Sequence, residues 1–142
     1  MSKSNTLENS ILELLFKATS IANIADNATT APNTNLYVAL HTADPGETGN
    51  QSTSECTYSP YARVSVARSA SGWTVVANVA SPLANIDFAT CSAGSETATW
   101  FSVGMSITGA TAILYRGSIN PTVSISAGVI PRITTATTIT ED

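Results

Sequence analysis

Charge is what this chain has least of. Only 11% of its 142 residues are Asp, Glu, Lys or Arg, against roughly 25% in an average soluble protein. Six basic residues face ten acidic ones, for a net charge of −4. That balance argues against a nucleic-acid footprint, which needs clustered Lys and Arg. It argues equally against a polybasic membrane contact. No apolar run is long enough to span a bilayer. Glu8, Glu13 and Lys17 interrupt the N-terminal apolar segment, so a secretory signal is not expected and the chain should fold in a cytoplasm. There is one histidine, His41, and there are two cysteines, Cys56 and Cys91. Such a set cannot fill a structural zinc site, and it contains no CxxC pair. The expected state of both cysteines is a free thiol. A bridge requires Cα atoms within about 7 Å. Phosphate cradles (GxxxxGKS/T, GxGxxG) and a GxSxG nucleophile elbow are missing.

Apolar residues make up 43%, and Ser, Thr, Asn and Ala take the place of charge. Disordered chains are charged and poor in β-branched residues, so this one should fold. Its length fits a single domain over 1–142, with a helix in 1–20 and a β-sandwich over 36–142. A surface of small polar groups suits burial against other protein, because interface cores deplete Lys and Glu.

Asn5 is a candidate N-cap, with Glu8 at the capping-box position. Leu7, Ile11, Leu14, Leu15 and Ala18 recur at helical period, Leu12 and Phe16 widen that face, and Glu8, Asn9, Glu13 and Lys17 oppose it. The pattern predicts an amphipathic helix over 6–19, packed on its own domain or docked on a neighbouring subunit. Residues 21–35 read as a connector. Asn27-Ala28-Thr29 and Asn50-Gln51-Ser52 match the glycosylation pattern, without meaning in a chain that is not secreted. Leu36 to Thr42 is the first strand, with Leu36, Val38 and Leu40 alternating with Tyr37, Ala39 and His41. Asp44-Pro45-Gly46 ends it in a turn. Residues 47–59 read as a long polar surface loop. Tyr61 to Arg68 and Trp73 to Val79 predict a hairpin. Ala84–Ala89, Ala98–Ile107, Thr111–Gly117, Val123–Ile125 and Val129–Ile139 predict further strands, the last with Pro131 at a bulge or edge. About eight short strands at regular spacing predict a mainly β protein: an antiparallel sandwich or jelly-roll with an N-terminal amphipathic helix.

Candidate chemistry is sparse. His41 lacks an evident nucleophile and orienting carboxylate, so it is expected to hydrogen-bond the adjacent turn. Asp44, Glu47 and Asn50 could offer oxygens to calcium, but solvated turn residues are the commoner case. No cofactor or metal is expected. Trp73, Trp100, Tyr58 and Tyr61 could stack on a sugar, although aromatics in β-domains more often pack the core. Arg63 and Arg68 could pair with carboxylates of another subunit or line a solvated face. The candidate interface residues are Leu7, Ile11, Leu14, Leu15, Glu47, Arg63 and Arg68.

Leu36-Tyr37-Val38-Ala39-Leu40-His41-Thr42-Ala43-Asp44-Pro45-Gly46-Glu47-Thr48-Gly49 and Tyr61-Ala62-Arg63-Val64-Ser65-Val66-Ala67-Arg68 are the most specific parts of a resemblance that covers nearly the whole chain. Asn5 to Leu12, Gly72-Trp73, Ile125 to Pro131 and Thr138 to Asp142 extend it. With these motifs the chain resembles a family of small virion structural proteins of tailed bacteriophages. The resemblance implies a non-enzymatic role. The chain is short for a fibre and lacks shaft repeats, which favours a cement or decoration protein bound to the major capsid protein on the head surface. A tail-associated or fibre-attachment protein is the alternative, and a carbohydrate-binding module a third reading. A homo-oligomer, dimer or trimer, is expected because most oligomers close symmetrically.

Overall fold

A computed structural model describes residues 3–27 and 31–141. The protein is mainly β, with antiparallel sheets and one N-terminal helix, in agreement with the fold class expected from the strand pattern. The chain forms two compact units. The first comprises residues 1–35, 67–85 and 134–142, the second 36–66 and 86–133.

The first unit holds helix α1 (Asn5–Lys17) and an antiparallel sheet of β3 (Trp73–Val76), β4 (Val79–Pro82) and β9 (Ile139–Thr140), in the order β3-β4-β9. Ser4, not Asn5, caps the helix: its Oγ accepts the Leu7 N–H at 3.3 Å. The helix therefore starts one residue and ends two residues earlier than expected, and Glu8 falls outside the capping-box position. At the other end Ala18 adopts a left-handed φ of 58°, and the Thr19 N–H donates to the Glu13 carbonyl.

The buried face also differs from the expected stripe. Glu8, Leu12 and Phe16, spaced four apart, are the buried residues of α1. Leu7 is exposed, while Ile11, Leu14 and Leu15 are half-buried. Two apolar stripes overlap on this helix, and packing chose the one ending in the largest ring. Phe16 meets Trp73 edge-on, with centroids 4.7 Å apart, a favoured aromatic geometry. Leu12, Phe16, Trp73, Ala80 and Ile139 are buried in this unit.

The predicted hairpin between Tyr61–Arg68 and Trp73–Val79 is not formed. β3 instead pairs with β4, Val76 opposite Val79, across the two-residue turn Ala77-Asn78. Ala77 takes φ 54° there, a conformation usually left to Gly or Asn. Pro82 closes β4 opposite Trp73.

The second unit holds a four-stranded sheet in the order β2-β1-β6-β7. Its strands are β1 (Asn35–His41, of which 36–41 lie in this unit), β2 (Val64–Ala67, of which 64–66 lie in this unit), β6 (Glu96–Gly104) and β7 (Ile113–Ile125). Strands β5 (Ile86–Asp87) and β8 (Arg132–Ile133) form a separate antiparallel pair. β6 pairs antiparallel with both β1 and β7. Leu40 lies opposite Phe101 and Val38 opposite Val103, so alternation gives the sheet one apolar face. Tyr37, Ala39 and His41 fall on the other face, with Trp100, Ser102 and Gly104 opposite them.

Four expectations for the later part of the chain change. Thr111–Gly117 and Val123–Ile125 are parts of one strand, β7, whose interruption is absorbed by a register shift against β6 between Ala98 and Trp100. The strand expected over Ala84–Ala89 shrinks to β5, and the one over Val129–Ile139 to β8 and β9, which lie in different sheets. Pro131 is buried, and its carbonyl accepts the Phe88 N–H. Residues 47–59 are not simply a surface loop, because Gln51, Cys56 and Tyr58 are buried. The segment returns along the end of β1, with Thr42 N–H on the Ser54 carbonyl and Cys56 N–H on the Leu40 carbonyl.

Candidate functional site

The polar groups of the second unit converge on the end of β1. His41, at the last position of that strand, is fully buried. Its Nδ1 lies 2.9 Å from the Thr53 carbonyl and its Nε2 2.8 Å from the Ser102 hydroxyl. A carbonyl only accepts, so Nδ1 carries the proton and Nε2 receives the Ser102 O–H. Gln51 extends the chain of bonds. Its Nε2 donates to the Tyr37 carbonyl at 2.9 Å and to Ser102 Oγ at 3.4 Å. Its Oε1 accepts from Thr111 Oγ1 at 3.1 Å. The carboxamide occupies the space over Gly104: a Cβ there would stand 2.2 Å from Gln51 Cδ. Only glycine on β6 leaves that room.

Arg63 closes the network. Its side chain is 2% exposed. Nε and Nη2 grip both oxygens of Glu55 at 2.7 and 2.8 Å. Nη1 donates to the Ser106 carbonyl at 3.0 Å, and Nη2 to the Gly109 carbonyl at 2.8 Å. Tyr61 donates its hydroxyl to Glu55 and accepts the Leu40 N–H, both at 3.0 Å. One guanidinium therefore ties the 51–55 segment to the loop after β6. Above the group opens a cleft of about 460 Å³, lined by Ser52, Glu55, Thr57, Tyr61, Arg63 and Ile107 among others.

Burial sets the electrostatics. Desolvation holds the His41 imidazole below its usual range, against the opposing pull of the Thr53 carbonyl and Glu55. Burial, reinforced by Glu96, pushes the Cys56 thiol up to about 12, which keeps it protonated and unreactive. Burial raises the Tyr61 phenol as well. Both cysteines are free and buried.

The Ser102–His41 contact has the geometry of a nucleophile and its base, but neither residue has any solvent exposure. A backbone carbonyl stands where a triad would place a carboxylate. The Ser102 hydroxyl also receives the Gln51 amide. The buried arrangement forms an internal latch that joins β1, β6 and residues 51–53. Its acid sensitivity follows. The unfolded imidazole titrates near 6.5, above the lowered folded value. The unfolded chain thus binds the proton first, and stability is full above that pH and falls as pH drops through it. The chain has one histidine. The urea midpoint is therefore expected to fall between pH 7 and 5 in the wild type and to fall less in His41→Gln. Equal slopes in the two would refute the latch.

The other candidates are dispersed. Asp44 receives Arg116 at 2.6 Å, and that guanidinium lies 5.4 Å from the centre of the Trp100 ring. Glu47 is exposed, and Asn50 Oδ1 accepts the Ser52 N–H. Among the described residues no group of three or more His, Cys, Asp or Glu is placed to hold a metal ion. Trp73 is buried, and Tyr61 stacks on Phe88 and meets Tyr58 edge-on. Arg63 pairs with a carboxylate of its own unit rather than lining a solvated face. Arg68 caps α1, donating to the carbonyls of Leu14 at 2.6 Å and Leu15 at 2.7 Å, where a helix end attracts a cation. Ala28 and Thr29 of the first glycosylation pattern lie outside the described residues. Neither Ser102 nor Gln51 carries a site signal in the sequence, because a lone Ser or Gln gains one only when folding supplies its partners.

None of the curated proteins searched matches the chain. A family model described as podophage GP4 fiber I protein gp80 matches residues 2–140. With nearly its whole length matched, the chain belongs to the podophage GP4 fiber I protein gp80 family.

Proposed function

We propose that this phage structural protein is a non-enzymatic component of a podophage fibre, held in the virion by contacts with other virion proteins. The observation that carries the reading is the family match over residues 2–140. It favours the tail-associated alternative over the capsid-cement role suggested by the chain's size and lack of shaft repeats. The interior supports a structural role. The strongest polar groups of the second unit, Arg63, Glu55 and His41, are spent on one another and on backbone carbonyls. In the proposed assembly the less covered side of α1 (Leu7, Ile11, Leu14 and Leu15) and Glu47 are available for virion contacts, whereas Arg63 and Arg68 support those surfaces from within.

Quantitative mass spectrometry of separated heads and fibre-bearing tails tests this reading. The protein is expected with the tail and fibre fraction. Recovery with the heads, in fixed ratio to the major capsid protein, would replace the fibre reading with the cement one.

A further inference from the structure

We propose that the cleft above Arg63 and Glu55 is a binding site for a neutral, polyhydroxylated ligand, a saccharide. Its volume of about 460 Å³ falls within the range of small-molecule sites. The hydrogen-bonding inventory of its floor selects the class. A guanidinium has five N–H groups. Those of Arg63 are all taken by protein acceptors: Nε by Glu55, Nη1 by the Ser106 carbonyl and Gln51 Oε1, Nη2 by Glu55 and the Gly109 carbonyl. With its side chain 2% exposed, Arg63 has nothing left to offer a ligand. An anion entering the cleft therefore meets a carboxylate and no free cationic donor. A cation meets a carboxylate already paired with a guanidinium 2.7 Å away.

What the ion pair leaves open is one acceptor beside one donor. Glu55 Oε1 accepts twice, from Arg63 Nε and from the Tyr61 hydroxyl. Among the described residues Oε2 accepts from Arg63 Nη2 alone, so one of its lone pairs is open. Ser52 Oγ accepts from the same Nη2 at 3.2 Å, which leaves its O–H to donate. Oε2 and Ser52 Oγ are thus neighbours on one nitrogen. A ligand hydroxyl placed between them donates to the first and accepts from the second with a single atom, and its bond to the carboxylate is of the stronger, charge-assisted kind. The exposed Thr57 and Thr108 add further hydroxyls to the lining, and Ile107, 46% exposed, adds an apolar contact. A sugar ring matches that set, with hydroxyls around its rim and C–H groups on its face. The network fixes Glu55 before any ligand arrives, which lowers the ordering cost of binding. The site is independent of where the protein sits in the virion.

The test is isothermal titration calorimetry of the full chain with neutral oligosaccharides of hexoses, 6-deoxyhexoses and N-acetylhexosamines, each compared with an acidic oligosaccharide of the same length. A neutral member is expected to bind, and its acidic counterpart to bind more weakly. Ser52→Ala is expected to raise the Kd for that neutral member about tenfold, the loss of one hydrogen bond. Ile107→Asp is expected to raise it at least as much, by removing the apolar contact and adding a charge. Both positions are exposed, so the circular dichroism of the variants should match that of the wild type. A wild type that binds no neutral member, or that binds the acidic ones as tightly, would overturn the proposal. So would neutral binding that is unchanged in either folded variant.

Discussion

Replacing Arg63 with alanine is expected to lower the unfolding free energy by about 3–5 kcal/mol, the range for removing one member of a buried ion pair. The loss has two parts. The Glu55 carboxylate, 17% exposed, keeps the Tyr61 hydroxyl but loses both guanidinium bonds. The Ser106 and Gly109 carbonyls lose their donors too, so the loop after β6 loses its tie to the 51–55 segment. Lysine does not substitute, because an ammonium cannot reproduce the planar fork that spans Glu55 and two carbonyls. The additional change Glu55→Gln is expected to recover part of the loss, since no unpaired charge then remains. Urea unfolding followed by circular dichroism measures all of these. A loss under about 1 kcal/mol for Arg63→Ala would place the residue with ordinary surface ion pairs.

Phe16→Ala is expected to cost a similar amount, about 3–5 kcal/mol, through lost transfer energy and the cavity left behind. Phe16 is 0% exposed, and its ring contacts the buried Trp73 edge-on. The near-ultraviolet dichroism of Trp73 should weaken in the same variant, because its asymmetric neighbour is gone. Leu7→Ala, on the exposed side of the same helix, is expected to change stability by no more than about 0.5 kcal/mol. If the two variants cost the same, the buried face of α1 is not the one described.

Both experiments bear on what could be read beforehand. A helix near the N-terminus was legible from its period, but its buried face was not. Leu7, Ile11, Leu14 and Leu15 form as good a stripe as Leu12 and Phe16, and only the presence of Trp73 opposite decided between them. From the sequence, Arg68 could pair with carboxylates of another subunit or line a solvated face. Its role at the end of α1 depends on bringing together residues more than fifty positions apart.

The sequence by itself determined the mainly β class, the N-terminal helix and the core alternation of β1. These follow from local rules: side chains alternate every two residues in a strand and recur every 3.6 in a helix. The tertiary structure alone decided strand partners, the joining of two apolar segments into β7, and the latch of His41, Ser102, Gln51 and Arg63. The physical reason is that pairing and buried hydrogen bonds are long-range. His41 and Ser102 are 61 residues apart. Neither signals the other until the register of β1 on β6 sets His41 opposite Trp100 and one diagonal step from Ser102.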